Sequence, residues 1–180
     1  TMNKKSAVVL FSLALVMLSC GKKESSTYLG VAQTEIKNQL DLLLQNYYPR
    51  IVDTINGGYW TNFENDWTLS PDQDKMLVTQ ARGLWTAARA AELYPENTVF
   101  RQAADHGYQF LVQKMWDYEK GGFYQNYFVD SVHKTDASMK MAYANAFALY
   151  GLSQYAKVNK DPEVLNWVRK SFSWFEEELH

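Results

Sequence analysis

The chain has 180 residues, of which 47% are hydrophobic, 15% aromatic and 21% charged. This is the composition of a globular protein, and it excludes a disordered, collagen-like or disulfide-stapled chain. With 18 basic and 20 acidic residues the net charge is −2, so the sequence carries no electrostatic signature of a nucleic-acid partner. The single cysteine cannot form an internal disulfide bond.

The first 20 residues are typical of a secretory signal. Two lysines precede an apolar run over residues 7–18, which is too short to span a bilayer. The run leads into Leu-Ser-Cys-Gly, which resembles a bacterial lipobox. We therefore expect a lipoprotein signal peptide over 1–20, a lipid on Cys20 and a polar tether over 21–27, which would anchor the protein to a membrane of the bacterial cell envelope. An ordinary signal peptide with an incidental cysteine is the alternative.

The remainder of the chain is predicted to be all-α. Apolar residues at the helical spacing predict an amphipathic helix over about 28–48, which Pro49 ends. The run 124–129 is typical of a short hairpin arm. After Pro49, Ser70 is placed to cap a second helix, with Gln73 completing a capping box. That helix is expected to reach Leu93, and further helices are predicted from Asn97 to Met115, from Asp136 to Lys157, and from Asp161-Pro162 to the chain end.

A set of residues recurs at an interval of 64 or 65 positions. The pairs are Asp53 with Asp117, Gly57-Gly58 with Gly121-Gly122, Asp66 with Asp130, Lys75 with Lys140, Leu84-Trp85 with Leu149-Tyr150, and Phe110 with Phe175. Six pairs in one order indicate a repeated helical hairpin with a Gly-Gly-aromatic loop. A closed ring of such hairpins is the (α/α)6 barrel, which needs about 390 residues. We therefore expect residues 28–180 to be its first two to three hairpins, truncated at residue 180.

Several segments carry a resemblance to a known family. They are Gly57-Gly58-Tyr59, the run from Gln80 to Trp85, the run from His106 to Leu111, and the second repeat from Asp117 to Leu152. Together they resemble the N-acylglucosamine 2-epimerase/cellobiose 2-epimerase family over about residues 35–180. The resemblance implies an (α/α)6 barrel that inverts C2 of a reducing-end aldose or β-linked disaccharide without a cofactor.

Inversion at C2 has clear chemical requirements. Two acid/base groups must face opposite sides of a planar enediolate, and a cation or hydrogen-bond donors must stabilise its oxyanion. The family uses two histidines for the proton transfers, and the resemblance places both beyond residue 180. The 180-residue chain is therefore expected to supply only part of the pocket and to be inactive alone.

Arg82 is the residue that the resemblance places beside the reacting carbons. A planar guanidinium can donate to two adjacent sugar oxygens and offset the enediolate charge. The sequence groups Arg82 with small residues on a helix face that we expect to be buried, so an ion pair with a carboxylate at a helix end is the alternative. Tyr143 matches a pocket tyrosine of the family, with a core aromatic as the equally weighted alternative.

Two lysines and three aromatic residues complete the candidate substrate-binding set. Lys75 and Lys140 stand one repeat apart. In a substrate-site interpretation each lysine reaches the barrel mouth or holds the Gly-Gly loop by hydrogen bonds. The favoured alternative is a structural ion pair with Asp66 or Asp130 that pins the loop. Aromatic rings suit the C–H-rich face of a pyranose, but such rings more often pack in a core. These candidates are Trp60, Trp85 and Tyr124. His106 is interpreted as a structural histidine, and no set of residues has the spacing of a metal site.

Two other functions remain open at this point. A glycoside hydrolase on the same barrel would need two carboxylates facing the pocket, for which Glu64, Asp66 and Asp130 offer no privileged pair. A lipid-anchored barrel that kept the aromatic pocket and lost the histidines would be a non-catalytic glycan-binding protein.

Overall fold

The computed structural model describes residues 27–28, 30–132, 134–135 and 139–178. The predicted signal peptide, Cys20, nearly all of the tether, and the predicted cap Asp136 lie outside the described residues. In the described ranges no helix is long and apolar enough to cross a membrane.

The chain divides into two units, one up to Leu42 and the other from Leu43. In the first unit, β1 (Thr27–Tyr28) and β2 (Val31–Ala32) pair as an antiparallel ribbon. Helix α1 (Gln33–Tyr47) follows the ribbon, and its last turn belongs to the second unit. The predicted start of this helix is therefore too early, because the preceding residues pair as strands. Its predicted end, just before Pro49, is confirmed.

In the described residues of the second unit there are four further helices and one short ribbon. Helices α2 (Leu77–Leu93) and α4 (Ala142–Val158) lie side by side, α3 (Thr98–Phe110) packs on α2, and α5 (Pro162–Glu178) packs on α4. A π-helical turn, Leu111–Met115, extends α3. Strands β3 (Lys75–Met76) and β4 (Asn126–Tyr127) pair antiparallel. The expected all-α class is confirmed, and the alternation of helices is that of an (α/α)6 barrel, of which this chain forms the first hairpins.

Helices α2 and α4 approach each other closely through small residues. A Cβ atom added at Gly151 of α4 would stand 2.7 Å from the carbonyl oxygen of Ala81 in α2. Both helices also carry fully buried alanines, including Ala88 of α2 and Ala148 of α4. The close approach fixes the two helices as a pair, so that residues on their uncovered sides share one groove.

The predicted capping box at Ser70 does not form. Helix α2 begins only at Leu77, because Lys75 and Met76 are extended and paired with β4. Gln73 instead uses its side chain within the preceding loop, where it accepts from the backbone N–H of Thr61 at 2.9 Å. The capping-box residues are present in the sequence, but tertiary hydrogen bonds engage the Gln73 side chain that would have completed the box.

The other helix ends follow the sequence more closely. Asn97 accepts from the backbone N–H of Val99 at 3.1 Å, and Asp161 accepts from that of Glu163 at 2.9 Å, so both predicted N-terminal caps are confirmed. Helix α4 begins at Ala142, several residues later than predicted. After the second Gly-Gly pair, where a hairpin is expected, Tyr127 forms an antiparallel bridge with Thr135. Tyr127 also belongs to β4, which pairs with β3.

Candidate functional site

The first Gly-Gly loop is a tight turn closed on Asp53. The backbone N–H of Asp53 donates to Gly58 O at 2.9 Å, and that of Gly57 donates to Asp53 O at 3.0 Å. Both glycines have positive φ, +87° and +69°, which a residue with a Cβ rarely adopts. The Asp53 carboxylate accepts from the backbone N–H groups of Ile55 and Asn56. The sequence Asp-x3-Gly-Gly therefore encodes one closed loop.

The second Gly-Gly loop has the same geometry. Asp117 N–H donates to Gly122 O at 2.9 Å, and Gly121 N–H donates to Asp117 O at 2.9 Å. An aromatic ring covers each glycine pair, Phe110 in the first loop and Trp174 in the second. The internal repeat is thus confirmed at the level of hydrogen bonds. Its last predicted pair is corrected, because Trp174 and not Phe175 occupies the position of Phe110.

Each loop is fastened by the predicted lysine. Lys75 Nζ donates to an Asp53 carboxylate oxygen at 2.7 Å and to Tyr59 O at 2.9 Å, and neither charged side chain of this pair has exposed surface. Lys140 Nζ donates to an Asp117 carboxylate oxygen and to Gly121 O, both at 2.6 Å. The expectation that each lysine holds its Gly-Gly loop is therefore confirmed.

Two expectations about these lysines are corrected. Their ion-pair partners are the aspartates that open the loops and not Asp66 or Asp130, because the loop folds each opening aspartate back towards the start of the next helix. A substrate contact by Lys75 is also wrong, since its fully buried ammonium group has no path to a sugar. Lys140, whose side chain is 14% exposed, is likewise engaged in its loop.

Burial and hydrogen bonding act in opposite directions on the loop carboxylates. Burial raises the pKa of Asp117, but hydrogen bonds from Lys140 and from the backbone of Lys120 and Glu119 outweigh it and lower this pKa to about 2. The same balance of burial against hydrogen bonds, led by that of Lys75, leaves the pKa of Asp53 below its usual value. Burial lowers the pKa of Lys75, and Asp53 opposes that change.

A side-chain amide clamps each loop, a feature that sequence reasoning missed. Gln80 accepts from Tyr59 N–H at 2.7 Å and donates to Tyr59 O at 2.9 Å. Asn145 makes the same two contacts with Phe123, at 2.8 and 3.1 Å. These residues stand at the repeat interval, so an amide recurring at that interval was the signal that could have revealed them.

Trp60 and Tyr124, also at the repeat interval, flank the lysines. The Lys75 ammonium lies 5.1 Å from the centre of the Trp60 ring, and that of Lys140 lies 5.6 Å from the centre of the Tyr124 ring. The structure thus places both aromatic rings at the loop fastenings, and neither lines the cavity described next.

A groove of about 540 Å³ lies between α2 and α4. Its lining brings together three of the predicted site residues, Arg82, Trp85 and Tyr143, with Thr86, Ala146, Phe147 and Tyr150. Trp85 and Tyr150, partners in the repeat, stack with ring centres 5.2 Å apart and planes 8° apart. Tyr143, which lines the groove, is 63% exposed and meets Phe147 edge-on.

Arg82 projects into this groove as an exposed side chain. The expectation of a buried face is corrected, because Gln80, Ala81 and Leu84 turn towards the core and Arg82 lies on the opposite side of α2. Among the described residues no carboxylate forms an ion pair with its guanidinium, so the ion-pair alternative is not realised there. Its five N–H donors are available to a bound molecule.

Other titratable groups are engaged outside the groove. His106 Nε2 lies 3.0 Å from Asp53 O, a structural contact as expected from its place on α3. Glu64 accepts from Ser70 Oγ at 2.6 Å, and Asp66 accepts from Thr68, so both are held within one exposed loop. Within the described part of the chain, no cluster of His, Cys, Asp and Glu has the geometry of a metal site.

The family model of N-acylglucosamine 2-epimerase (GlcNAc 2-epimerase) matches residues 58–180. The chain belongs to this family. The match confirms the resemblance drawn from the Gly-Gly loops and the helix that carries Arg82.

Relatives of this family member include the cellobiose 2-epimerase of Dictyoglomus turgidum, which is 33% identical over 151 residues. That match covers 83% of this chain and 38% of the relative, so the chain spans well under half the length of this protein. The solved cellobiose 2-epimerase from Bacillus thermoamylovorans B4167 superposes with a TM-score of 0.70 at 26% identity, covering 80% of this chain and 36% of that one.

A glycoside hydrolase also shares the architecture. The family 76 glycoside hydrolase from a bovine Bacteroides thetaiotaomicron strain superposes with a TM-score of 0.64 at 16% identity, over 81% of this chain and 31% of that one. This likeness extends to the fold alone.

The buried ion pair of the first loop gives a stability prediction. Lys75→Met should lower the free energy of unfolding by about 3–5 kcal/mol, because it leaves the Asp53 carboxylate buried and unpaired. Lys37→Met is the matched control; it breaks an exposed pair with Asp41 and should cost less than about 1 kcal/mol. Urea unfolding followed by circular dichroism measures the free energy of unfolding of both variants. Equal small losses in the two variants would contradict a buried Lys75–Asp53 ion pair.

The lowered pKa of Asp117 gives a pH prediction. A carboxyl with a pKa of about 2 when folded and an ordinary value near 3.8 when unfolded stabilises the fold above pH 4, and this stabilisation disappears between about pH 4 and pH 2. Asp117→Asn should therefore flatten the fall in the free energy of unfolding across that range. Asp130→Asn should leave the fall unchanged, and identical pH profiles for all three proteins would exclude the proposed linkage.

Proposed function

We propose that the protein is a carbohydrate 2-epimerase that inverts C2 of a reducing-end sugar, in an aldose or a β-linked disaccharide. The observation that carries this proposal is the position of Arg82, whose guanidinium projects without a carboxylate partner among the described residues into a groove walled by aromatic rings. Membership of the epimerase family and the similarity to two cellobiose 2-epimerases support the same reaction.

The residues of the groove suit an enediolate intermediate. After the ring opens, removal of the C2 proton places negative charge on the C1 oxygen, beside the C2 hydroxyl. The two parallel donors of a guanidinium match adjacent oxygens and stabilise charge that is absent from the ground state. The Trp85–Tyr150 stack offers an apolar wall to the sugar C–H groups, and Tyr143 offers a hydroxyl to one sugar oxygen. Return of a proton to the other face of C2 completes the inversion.

We propose that the acid and base that move the proton come from parts of the protein outside residues 1–180. The chain spans only 38% of the cellobiose 2-epimerase of Dictyoglomus turgidum, which leaves room for them. His106 does not suit the role, because it lies on α3 and its Nε2 contacts the Asp53 carbonyl oxygen. The 180-residue chain alone is accordingly expected to show no turnover.

A hydrolase is the less favoured function for this site. Hydrolysis of a glycosidic bond needs two carboxyl groups across the bond. No aspartate or glutamate among the described residues lines the groove, and the loop acids Glu64 and Asp66 are held by Ser70 and Thr68. A glycan-binding protein would have the same groove and is separated from an epimerase by the exchange experiment below.

The proposal predicts exchange at C2. The full-length protein without residues 1–20, incubated with cellobiose in D2O, should incorporate deuterium at C2 and form the mannose-ended epimer, as followed by proton NMR. Arg82→Ala should lower kcat/KM by roughly 10²- to 10³-fold, the usual effect of removing an oxyanion donor. Arg89→Ala is the control, because Arg89 pairs with Glu92 on the same helix and does not line the groove.

Two outcomes would contradict this function. Cleavage of cellobiose without deuterium at C2 would identify a hydrolase, and binding of sugars without any exchange would identify a binding protein. Full activity of Arg82→Ala would remove the arginine from the site.

We also propose that Cys20 is lipidated and that the protein is held on a membrane of the bacterial envelope. The apolar run before Cys20 and the Leu-Ser-Cys-Gly sequence support this location. Mass spectrometry of the membrane-extracted protein should find Cys20 as a lipid-modified N-terminus, and Cys20→Ala should abolish the modification. An unmodified cysteine inside a soluble mature chain would contradict the proposal.

A further inference from the structure

Trp67 has an unusual backbone conformation. Its φ is +69°, and among the described residues every other positive φ belongs to a glycine. A large side chain is strongly disfavoured in this region, so a tryptophan held there is a candidate for a function of its side chain.

A short hairpin loop holds Trp67 in place. Phe63 and Leu69 form its closing bridge, Glu64 N–H donates to Thr68 O at 2.8 Å, and Trp67 N–H donates to Glu64 O at 3.0 Å. Loops of this kind commonly place a glycine where φ is positive. A glycine would therefore satisfy the backbone better than the tryptophan found there.

The Trp67 ring is supported on some sides and open on others. Its centre lies 5.7 Å from that of Phe63 and 6.5 Å from that of Tyr47, both edge-on, and 5.4 Å from the Arg50 guanidinium. The residue nevertheless remains 42% exposed. A ring that is fixed by neighbours and still exposed is a ready surface for stacking.

A polar cleft is lined by Arg82 and by Tyr47, one of the residues that contact the Trp67 ring. A second cavity, of about 200 Å³, is lined by Tyr47, Thr79, Arg82, Gly83 and Thr86. Arg82 thus borders both cavities, and Tyr47 borders the second cavity while contacting Trp67. Burial raises the pKa of Tyr47 and the charge of Arg82 opposes this change, as expected of neighbours. Tyr47 is therefore the residue between Arg82 and Trp67, and the cleft carries the hydroxyl groups of Tyr47, Thr79 and Thr86.

The internal repeat supplies a built-in comparison for Trp67. At the repeat interval from Trp67 the second repeat has Ser131 and Val132, and neither is aromatic. The Asp–Lys fastening, the Gly-Gly turn and the amide clamp nevertheless form in both loops. The hairpin architecture therefore does not require a tryptophan at this position.

We propose that Trp67 stacks on the second pyranose ring of a disaccharide substrate, the ring linked to the sugar that is epimerised. The first sugar lies in the groove beside Arg82, and the second follows the cleft of Tyr47 and Thr79 to Trp67. Aromatic rings pack on the apolar C–H face of a pyranose, while hydroxyls in the cleft bind its oxygens. Trp67 is thereby a specificity residue that favours disaccharides over monosaccharides. This inference rests on the proposed epimerase site.

Substitution by glycine separates stacking from backbone strain. Trp67→Gly removes the ring and relieves the positive φ, so the full-length protein should keep its thermal stability. The KM for cellobiose should rise on the order of fivefold, as expected from the loss of one aromatic contact, with kcat unchanged. The KM for mannose should not change. Trp67→Tyr should keep most of the affinity for cellobiose. Tyr118→Ala, which removes an exposed aromatic outside both cavities, should change the KM of neither sugar.

The outcomes distinguish this inference from the proposed function. Equal changes in KM for cellobiose and mannose would show that Trp67 has a structural role. No change in KM for either sugar would place Trp67 outside the site. Both results overturn the inference. If the wild-type protein exchanges no C2 proton, the proposed function fails. Calorimetric titration with cellobiose and glucose then tests Trp67 alone, with a selective loss of cellobiose affinity expected in Trp67→Gly. Absence of cellobiose binding to the wild type would overturn both.

Discussion

A lysine and an aspartate, buried together beneath a Gly-Gly turn, determine how this chain folds around its candidate site. In the first loop the pair joins Asp53, which opens the turn, to Lys75, which lies two residues before α2. Because the ammonium group also binds Tyr59 O, one side chain ties both ends of the loop to the beginning of the helix. A charge with no exposed surface is tolerated only with such partners, so the geometry of the loop is specified narrowly.

The position of the groove follows from this fastening. Lys75 and Met76 stay extended and paired with β4, and α2 starts only after them. The start of α2 sets the rotation by which Gln80 faces the loop and Arg82 faces the groove. The second loop repeats the arrangement with Asp117 and Lys140, and it orients α4 so that Tyr150 stacks on Trp85. The two Asp–Lys ion pairs thus orient α2 and α4 so that the stacked rings of Trp85 and Tyr150 lie in the same groove as Arg82.

Much of this arrangement was predictable from local patterns. Apolar periodicity predicted the helices, the recurring Asp, Gly-Gly and Lys predicted the repeat, and the order of motifs predicted the family. Three of the residues that the sequence singles out, Arg82, Trp85 and Tyr143, line one cavity in the structure.

The errors share a physical origin in contacts between distant residues. The capping box failed because Gln73 bonds to Thr61, and the lysine partners were misassigned because the turn returns Asp53 and Asp117 to the helix starts. Arg82 was taken as buried because its small neighbours dominate the local pattern, whereas the contact of α2 with α4 decides which side is covered. The backbone of Trp67 had no local signal, since a positive φ ordinarily indicates glycine.

The central claim is that the groove between α2 and α4 holds the reacting end of a sugar against Arg82. A crystal structure of the full-length protein with the alditol of cellobiose, which mimics the ring-opened reducing end, tests it most directly. The account predicts that the oxygens of C1 and C2 lie within hydrogen-bonding distance of the Arg82 guanidinium. An alditol bound away from this groove, with Arg82 turned to a carboxylate of the protein, would contradict it.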